Sequence, residues 1–144
     1  MQMLTNFKRV LCPVQFDKNS AAALAIAKEI AQQNSGKLFV LYSVSPHADP
    51  TRVGGPAMAA HDEKVAEQEM ARLKREMLTD VEHEAIIVIG NPAEEIVKAE
   101  HEYGVDLVVM ATHGRTGVSH LVLGSVAERV VRESVCAVLT IRPK

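Results

Sequence analysis

Apolar residues follow two alternating spacings along the chain. Short continuous runs read as strands buried on both faces, and recurrences every three or four positions read as amphipathic helices. Lys8 to Val14 is mostly apolar, is closed by Pro13 and polar Gln15, Asp17 and Asn19, and predicts a first strand. Asn19 or Ser20 is then placed to cap a helix carrying Ala23, Ile26, Ala27 and Ile30, which Asn34-Ser35-Gly36 ends. Leu38 to Val44 predicts a second strand, too evenly apolar to have one wet face. Ser45 to Ala60, with His47, Asp49, Pro50, Gly54, Gly55 and Pro56, has neither period and reads as a mobile loop, a candidate lid or variable insertion. Asp62 to Thr79 predicts a charged helix with Ala66, Met70, Leu73 and Met77 as its buried stripe. Its alternating charges from Glu63 to Glu76 read as a solvated face with i,i+4 pairs.

Ala85 to Ile89 is the third predicted strand. Asn91 is the expected cap of the next helix, with Pro92 first in it and Glu94 and Glu95 suiting the positive end of its dipole; it runs to about Tyr103 and Gly104. Asp106 to Met110 predicts strand four. Leu121 to about Glu133 predicts a helix with Val122, Val126, Ala127, Val130 and Val131 inward, and Cys136 to Ile141 predicts a last strand. Five strands alternating with four helices imply parallel neighbours joined by right-handed crossovers, with helices on both faces. The fold class is therefore α/β, a doubly wound parallel sheet. With no repeat, linker or low-complexity tract, one domain over 1–144 is expected.

Composition narrows the function. Sixteen basic against 18 acidic residues give a formal charge of −2, and aromatics are only 3% with no Trp, so neither a phosphate-backbone footprint nor base-stacking platforms are expected. No apolar run approaches the ~20 residues of a membrane span, and the first residues lack signal-peptide order, so no membrane association and a cytoplasmic location are expected. Cys12 and Cys136 lie in apolar runs without metal-ligand spacing and read as small hydrophobes rather than a disulfide or a metal site.

In an open α/β sheet the ligand crevice lies beyond the carboxyl ends of the strands, where the strand order reverses. The segments that end there are Pro13-Val14-Gln15-Phe16-Asp17, Ser43-Val44-Ser45 and Ala111-Thr112-His113-Gly114-Arg115-Thr116-Gly117. The last leads to Gly124-Ser125 at a helix start. Glycines admit close approach of an anion, helix-start amides donate to it, Arg115 adds a positive fork, and Thr112, Thr116, Ser119 and Ser125 add hydroxyls. A di- or triphosphate needs such a constellation, although glycines in a loop of this kind also serve simply as turn residues. His113 likewise has two readings, a ligand contact or a residue that fixes the turn, and His120 reads as exposed.

The run ATHGRTGVSHLVLGSVAERVVRES resembles the nucleotide-binding signature of the universal stress protein family, G-x2-G-x9-G-[ST]. Gly114, nine residues and Gly124-Ser125 match it, while Ala111 stands at its first glycine and Gln15 at the usual first-strand aspartate. KRVLCPVQF, GNPAEEIVKAEHEYGVDLVVM and VAERVVRESVCAVLTIRPK resemble the family's first, middle and last segments, so the resemblance spans essentially the whole chain. It implies a five-stranded sheet ordered 3-2-1-4-5 and a homodimer joined through Cys136 to Arg142. It also implies an adenine nucleotide, ATP or AMP, with or without Mg²⁺. Pro13, Val14 and Gln15 would flank the adenosine, and Ser43 would face the adenine edge with its backbone. Met110, Ala111 and His113 would line the pocket, and Gly114, Arg115, Gly124, Ser125, Val126 and Ala127 would surround the phosphates.

The function this implies is a stress-response switch or interaction module with an unidentified protein partner. The alternatives are a nucleotide-free dimeric interaction protein of the same family and a slow ATPase or self-phosphorylating enzyme. No catalytic or metal-ligating residues are assigned, because no triad order, paired carboxylates or metal spacing is present. An adenine-nucleotide hydrolase would need a glycine-rich loop after strand one, where Gln15 to Ser20 contains no glycine. A receiver-type switch would need strand-end aspartates, and none closes Ala85 to Ile89.

Overall fold

The computed structural model describes residues 6–45, 55–113 and 123–142, with the backbone alone over 55–60. Its elements run β1 Arg9–Pro13, α1 Lys18–Gln33, β2 Lys37–Val44, α2 Gly55–Met77, β3 His83–Ile89, α3 Pro92–Glu102, β4 Leu107–Ala111, α4 Ser125–Glu133 and β5 Ala137–Ile141. All strand pairs are parallel, in the order β3-β2-β1-β4-β5. β1 is central, in register with β2 from Arg9 opposite Lys37 to Pro13 opposite Leu41, and with β4 at Val10 opposite Leu107.

Alternation along the strands divides the core between the two faces of the sheet. Val10 and Cys12 of β1, with Val14 just past its end, pack with Ala23, Leu24, Ala27 and Ala31 of α1 and Met70 of α2. Leu11, between them, faces the other way with Phe39, Val108 and Met110, against Ala93, Ile96 and Ala99 of α3 and Ala127 and Val130 of α4. Small alanines on α1 and α3 let the helices lie close to the sheet, and the aliphatic core is completed by a few large side chains such as Phe39, Leu24 and Leu78.

Local chemistry moves several boundaries from their expected places. The cap of α1 is Asp17 rather than Asn19 or Ser20: its Oδ1 accepts from the Ser20 amide at 2.9 Å, and Ser20 Oγ turns back to the chain before the helix in a capping box. α2 starts at Gly55, so residues 55–60, expected as the end of a loop, are helical; Pro56 sits where its fixed φ and missing N–H suit a first turn. The rest of the expected loop, 46–54, lies outside the described residues. Asn91 caps α3 as expected, accepting from the Glu94 amide at 3.2 Å, with Pro92 first in the helix. α4 begins at Ser125 and not at Leu121, because Leu123 and Gly124 are extended or bent and Gly124 is the cap. Val131, expected inward, is 46% exposed, since α4 faces the sheet through Ala127 and Val130 one turn apart.

Candidate functional site

The chain leaves β1 in one direction to build β2 and β3, and in the other to build β4 and β5. The crevice of this sheet therefore lies between the carboxyl ends of β1 and β4. On the β1 side, Val14 extends the ladder by donating its amide to Leu41 O at 2.9 Å. The Gln15 amide is held by Ser20 Oγ at 3.1 Å, so the residue that replaces the usual aspartate has its backbone fixed by the first turn of α1. Phe16 then takes a left-handed φ of 57° and lays its ring against Tyr42, centroids 4.7 Å apart. Sequence patterning gives no sign of that turn, because Phe is a poor αL former held there by packing and the Asp17 cap.

On the β4 side, Ala111 closes the strand opposite Ile141 and is not among the residues of positive φ. An alanine methyl is therefore tolerated at the first glycine of the motif, which needs no left-handed backbone here. Thr112 continues the pairing, its amide donating to Ile141 O at 3.0 Å and its carbonyl accepting from the Gly124 amide at 2.7 Å. That second bond ties the start of α4 directly to the end of β4. A Cβ on Gly124 would lie 3.2 Å from Thr112 O and 3.5 Å from His113 Cα, so any side chain there makes the Thr112 carbonyl give by a few tenths of an ångström.

Two features leave hydrogen-bonding capacity open beside this junction. Gly124 supplies no side-chain cap, so the first-turn amides of α4 have no capping oxygen from it. His113 places Nδ1 3.1 Å from Thr112 Oγ1, while Nε2 is buried without a hydrogen-bond partner among the described residues. A turn-fixing role accounts for the first nitrogen and leaves the second unexplained.

Other expected site residues are distributed by the strand pleat. Ala127 is buried under α4, Val126 is partly buried and Ser125 is exposed. Met110 belongs to the core on the α3–α4 face, and Val14 to the core on the α1–α2 face, so at these two positions the core takes the side chain. Ser43 Oγ donates to Gly90 O at 2.8 Å and fastens β2 to the end of β3, which commits its hydroxyl to the scaffold. Gly114 and Arg115, with Thr116, Gly117, Ser119 and His120, lie outside the described residues. A contact not foreseen is Arg129 on α4, whose guanidinium reaches Asn91 Oδ1 at 3.4 Å and Glu94 Oε1 at 3.3 Å and couples the start of α3 to the helix of the crevice. Among the described residues no three His, Cys, Asp or Glu side chains are grouped to hold a metal.

This sheet order defines the class, a doubly wound α/β protein with a candidate crevice at its topological switch point. A sequence model of the universal stress protein family matches residues 6–142. The chain is 34% identical over 138 residues to a universal stress protein of Thermus aquaticus, 94% of this chain and 99% of that one. It is 29% identical over 161 residues to the universal stress protein MJ0577 of Methanocaldococcus jannaschii, covering 99% of each. The solved structure of MJ0577 superposes with a TM-score of 0.87 at 28% identity, covering 96% of this chain and 98% of that one. A universal stress protein solved in complex with cAMP has the same fold, with a TM-score of 0.65 at 23% identity over 95% of this chain and 98% of that one. The chain belongs to the universal stress protein family. No helix among the described residues is long and apolar enough to cross a membrane.

Proposed function

We propose that this protein binds an adenine nucleotide, ATP or AMP, between the carboxyl ends of β1 and β4 with its phosphates at the start of α4. The observation that carries the reading is the pairing of an α4 start that Gly124 leaves without a side-chain cap with the buried Nε2 of His113, which has no hydrogen-bond partner among the described residues. Helix-start amides and a spare imidazole nitrogen are what phosphate oxygens bond. Pro13 and Gln15 would flank the adenosine, with Gly114 and Arg115 completing the phosphate cradle and Mg²⁺, if used, carried by the phosphates. The cyclic adenine nucleotide named for one relative of this fold makes this ligand class the first to test.

The output is a nucleotide-dependent change in shape or partner binding by a cytoplasmic, one-domain stress-response module. The exposed apolar residues Val131, Val135 and Leu139 around edge strand β5 favour a homodimer joined along Cys136 to Arg142, with or without nucleotide.

Calorimetric titration of nucleotide-stripped protein with ATP, ADP and AMP, with and without Mg²⁺, tests the reading. Saturable heat at about one site per chain is expected. In Gly124→Val the new side chain presses on Thr112 O, and affinity should fall at least about tenfold while the far-UV spectrum is kept. No heat and no thermal shift at millimolar nucleotide would overturn the site and leave the dimeric interaction protein as the function.

A further inference from the structure

α4 has 9 residues, of which Ala127 and Val130 are buried. A helix that short is marginal by itself, so what it rests on sets its position. Just past its last turn, Ser134, Val135 and Cys136 are held by the carboxyl of Glu100 on α3. At its start, the Gly124 amide is tied to Thr112 O. Between these ends the link is Arg129, each of whose three guanidinium nitrogens has an acceptor. Nε donates to Glu133 Oε2 at 2.8 Å, one terminal nitrogen to Asn91 Oδ1 at 3.4 Å and the other to Glu94 Oε1 at 3.3 Å. Asn91 Oδ1 is also the oxygen that caps α3, so α4 is docked on the atom that starts its neighbour.

An exposed ion pair on its own adds little, but acceptors converging on one planar fork from two helices fix an orientation. The network continues from Glu133 through Arg132 to Glu128, back in the first turn of α4. Arg129 lies about one turn from Ser125. A tilt of α4 about its clasped far end would displace the first-turn amides most, and hydrogen bonds weaken steeply with misalignment. We propose that Arg129 is a positioning residue of the nucleotide site: by docking α4 on the Asn91 cap of α3 it aims the first-turn amides of α4. With its nitrogens engaged, it does this without bonding the phosphates itself. The role rests on the nucleotide reading above.

Hydrogen exchange of the ligand-free chain and titration with ATP, on wild type, Arg129→Met and Asn91→Asp, test it. Methionine keeps the length and helix propensity of Arg129 and removes the fork. In Arg129→Met the Gly124 and Glu128 amides should exchange at least about fivefold faster, while the Val135 amide held by Glu100 is unmoved. ATP affinity should fall at least about tenfold in the same variant. Asn91→Asp caps α3 as well and gives Arg129 a charged acceptor, so it should slow exchange at Gly124 and Glu128 without weakening ATP. If the guanidinium served instead as a charge for the phosphates, the added carboxylate would weaken ATP, and that result overturns the proposal. So does unaltered exchange at Gly124 and Glu128 in Arg129→Met. A wild type that takes up no ATP overturns the nucleotide reading and this role with it, whereas ATP binding that Arg129→Met leaves intact overturns the role alone.

Discussion

Burial decides what the two thiols can do. Cys12 is fully buried in β1, and loss of hydration pushes its ionisation far above the ordinary thiol range. Cys136 is pushed up to about 12, first by burial and then by the Glu100 carboxylate that accepts its hydrogen at 3.3 Å. Neither is a reactive nucleophile. Cys12 in the unfolded chain ionises near ~8.5, whereas in the folded chain it stays protonated, so above that pH the unfolded state holds fewer protons. Stability should thus be undiminished at neutral pH and fall as pH rises past ~8.5, by up to ~1.4 kcal/mol per pH unit from this thiol. Urea midpoints from pH 7 to 10 measure that slope, and an unchanged slope in Cys12→Ala would contradict it. The sequence made the buried character of Cys12 legible through its apolar neighbours. It did not reveal the half-exposure of Cys136, which depends on β5 being an edge, nor the orphaned nitrogen of His113, which depends on contacts far apart in the chain.

Elements here are joined by single polar side chains at their ends. Glu100 on α3 is 2% exposed, and its carboxyl accepts from Ser134 Oγ at 2.6 Å, the Val135 amide at 3.2 Å and Cys136 Sγ at 3.3 Å. It thereby closes the turn from α4 to β5. Glu100→Ala leaves these donors unmet and opens a void, and should destabilise the protein by ~2–4 kcal/mol while hydrogen exchange along β5 speeds up. An unaltered denaturation midpoint would show the clasp to be dispensable. The same scale shows how far patterning reaches. Each strand and helix was legible from apolar spacing, because parallel strands buried on both faces and helices on one leave distinct periods. The ends were less so. Asp17 was passed over as a cap because its partner is Ser20, a short hydroxyl three residues on, and Gly55-Pro56 read as loop punctuation where the chain uses them to start α2. At α4 the apolar Leu121 to Leu123 suggested an early start, but the bond from Gly124 to Thr112 O sets the helix origin.

Among the described residues, one edge of the sheet is a strand with no further strand paired to it. β5 is the terminal strand of the order, with Leu139 38% exposed, and Val135 just before it is 72% exposed. If this edge joins two copies, Leu139→Asp should convert a dimer to a monomer by sedimentation equilibrium with the far-UV spectrum kept. A wild-type monomer at micromolar concentration would remove the interface. Strand order was legible only through the family resemblance, since alternation of elements fixes parallel pairing but leaves the sequence of strands across the sheet open. The central position of β1 also governs how the chain can assemble as it is made. β1, β2 and β3 are consecutive and can pair with one another once residue 89 has emerged from the ribosome. The other edge of β1 must wait for β4, so Val10 meets Leu107 across almost the whole intervening chain. Such a distant pairing closes slowly, and until it does the nascent protein carries a bare central strand. The crevice between β1 and β4 is therefore among the last parts of the molecule to exist, and a half-made chain lacks the site proposed for the nucleotide.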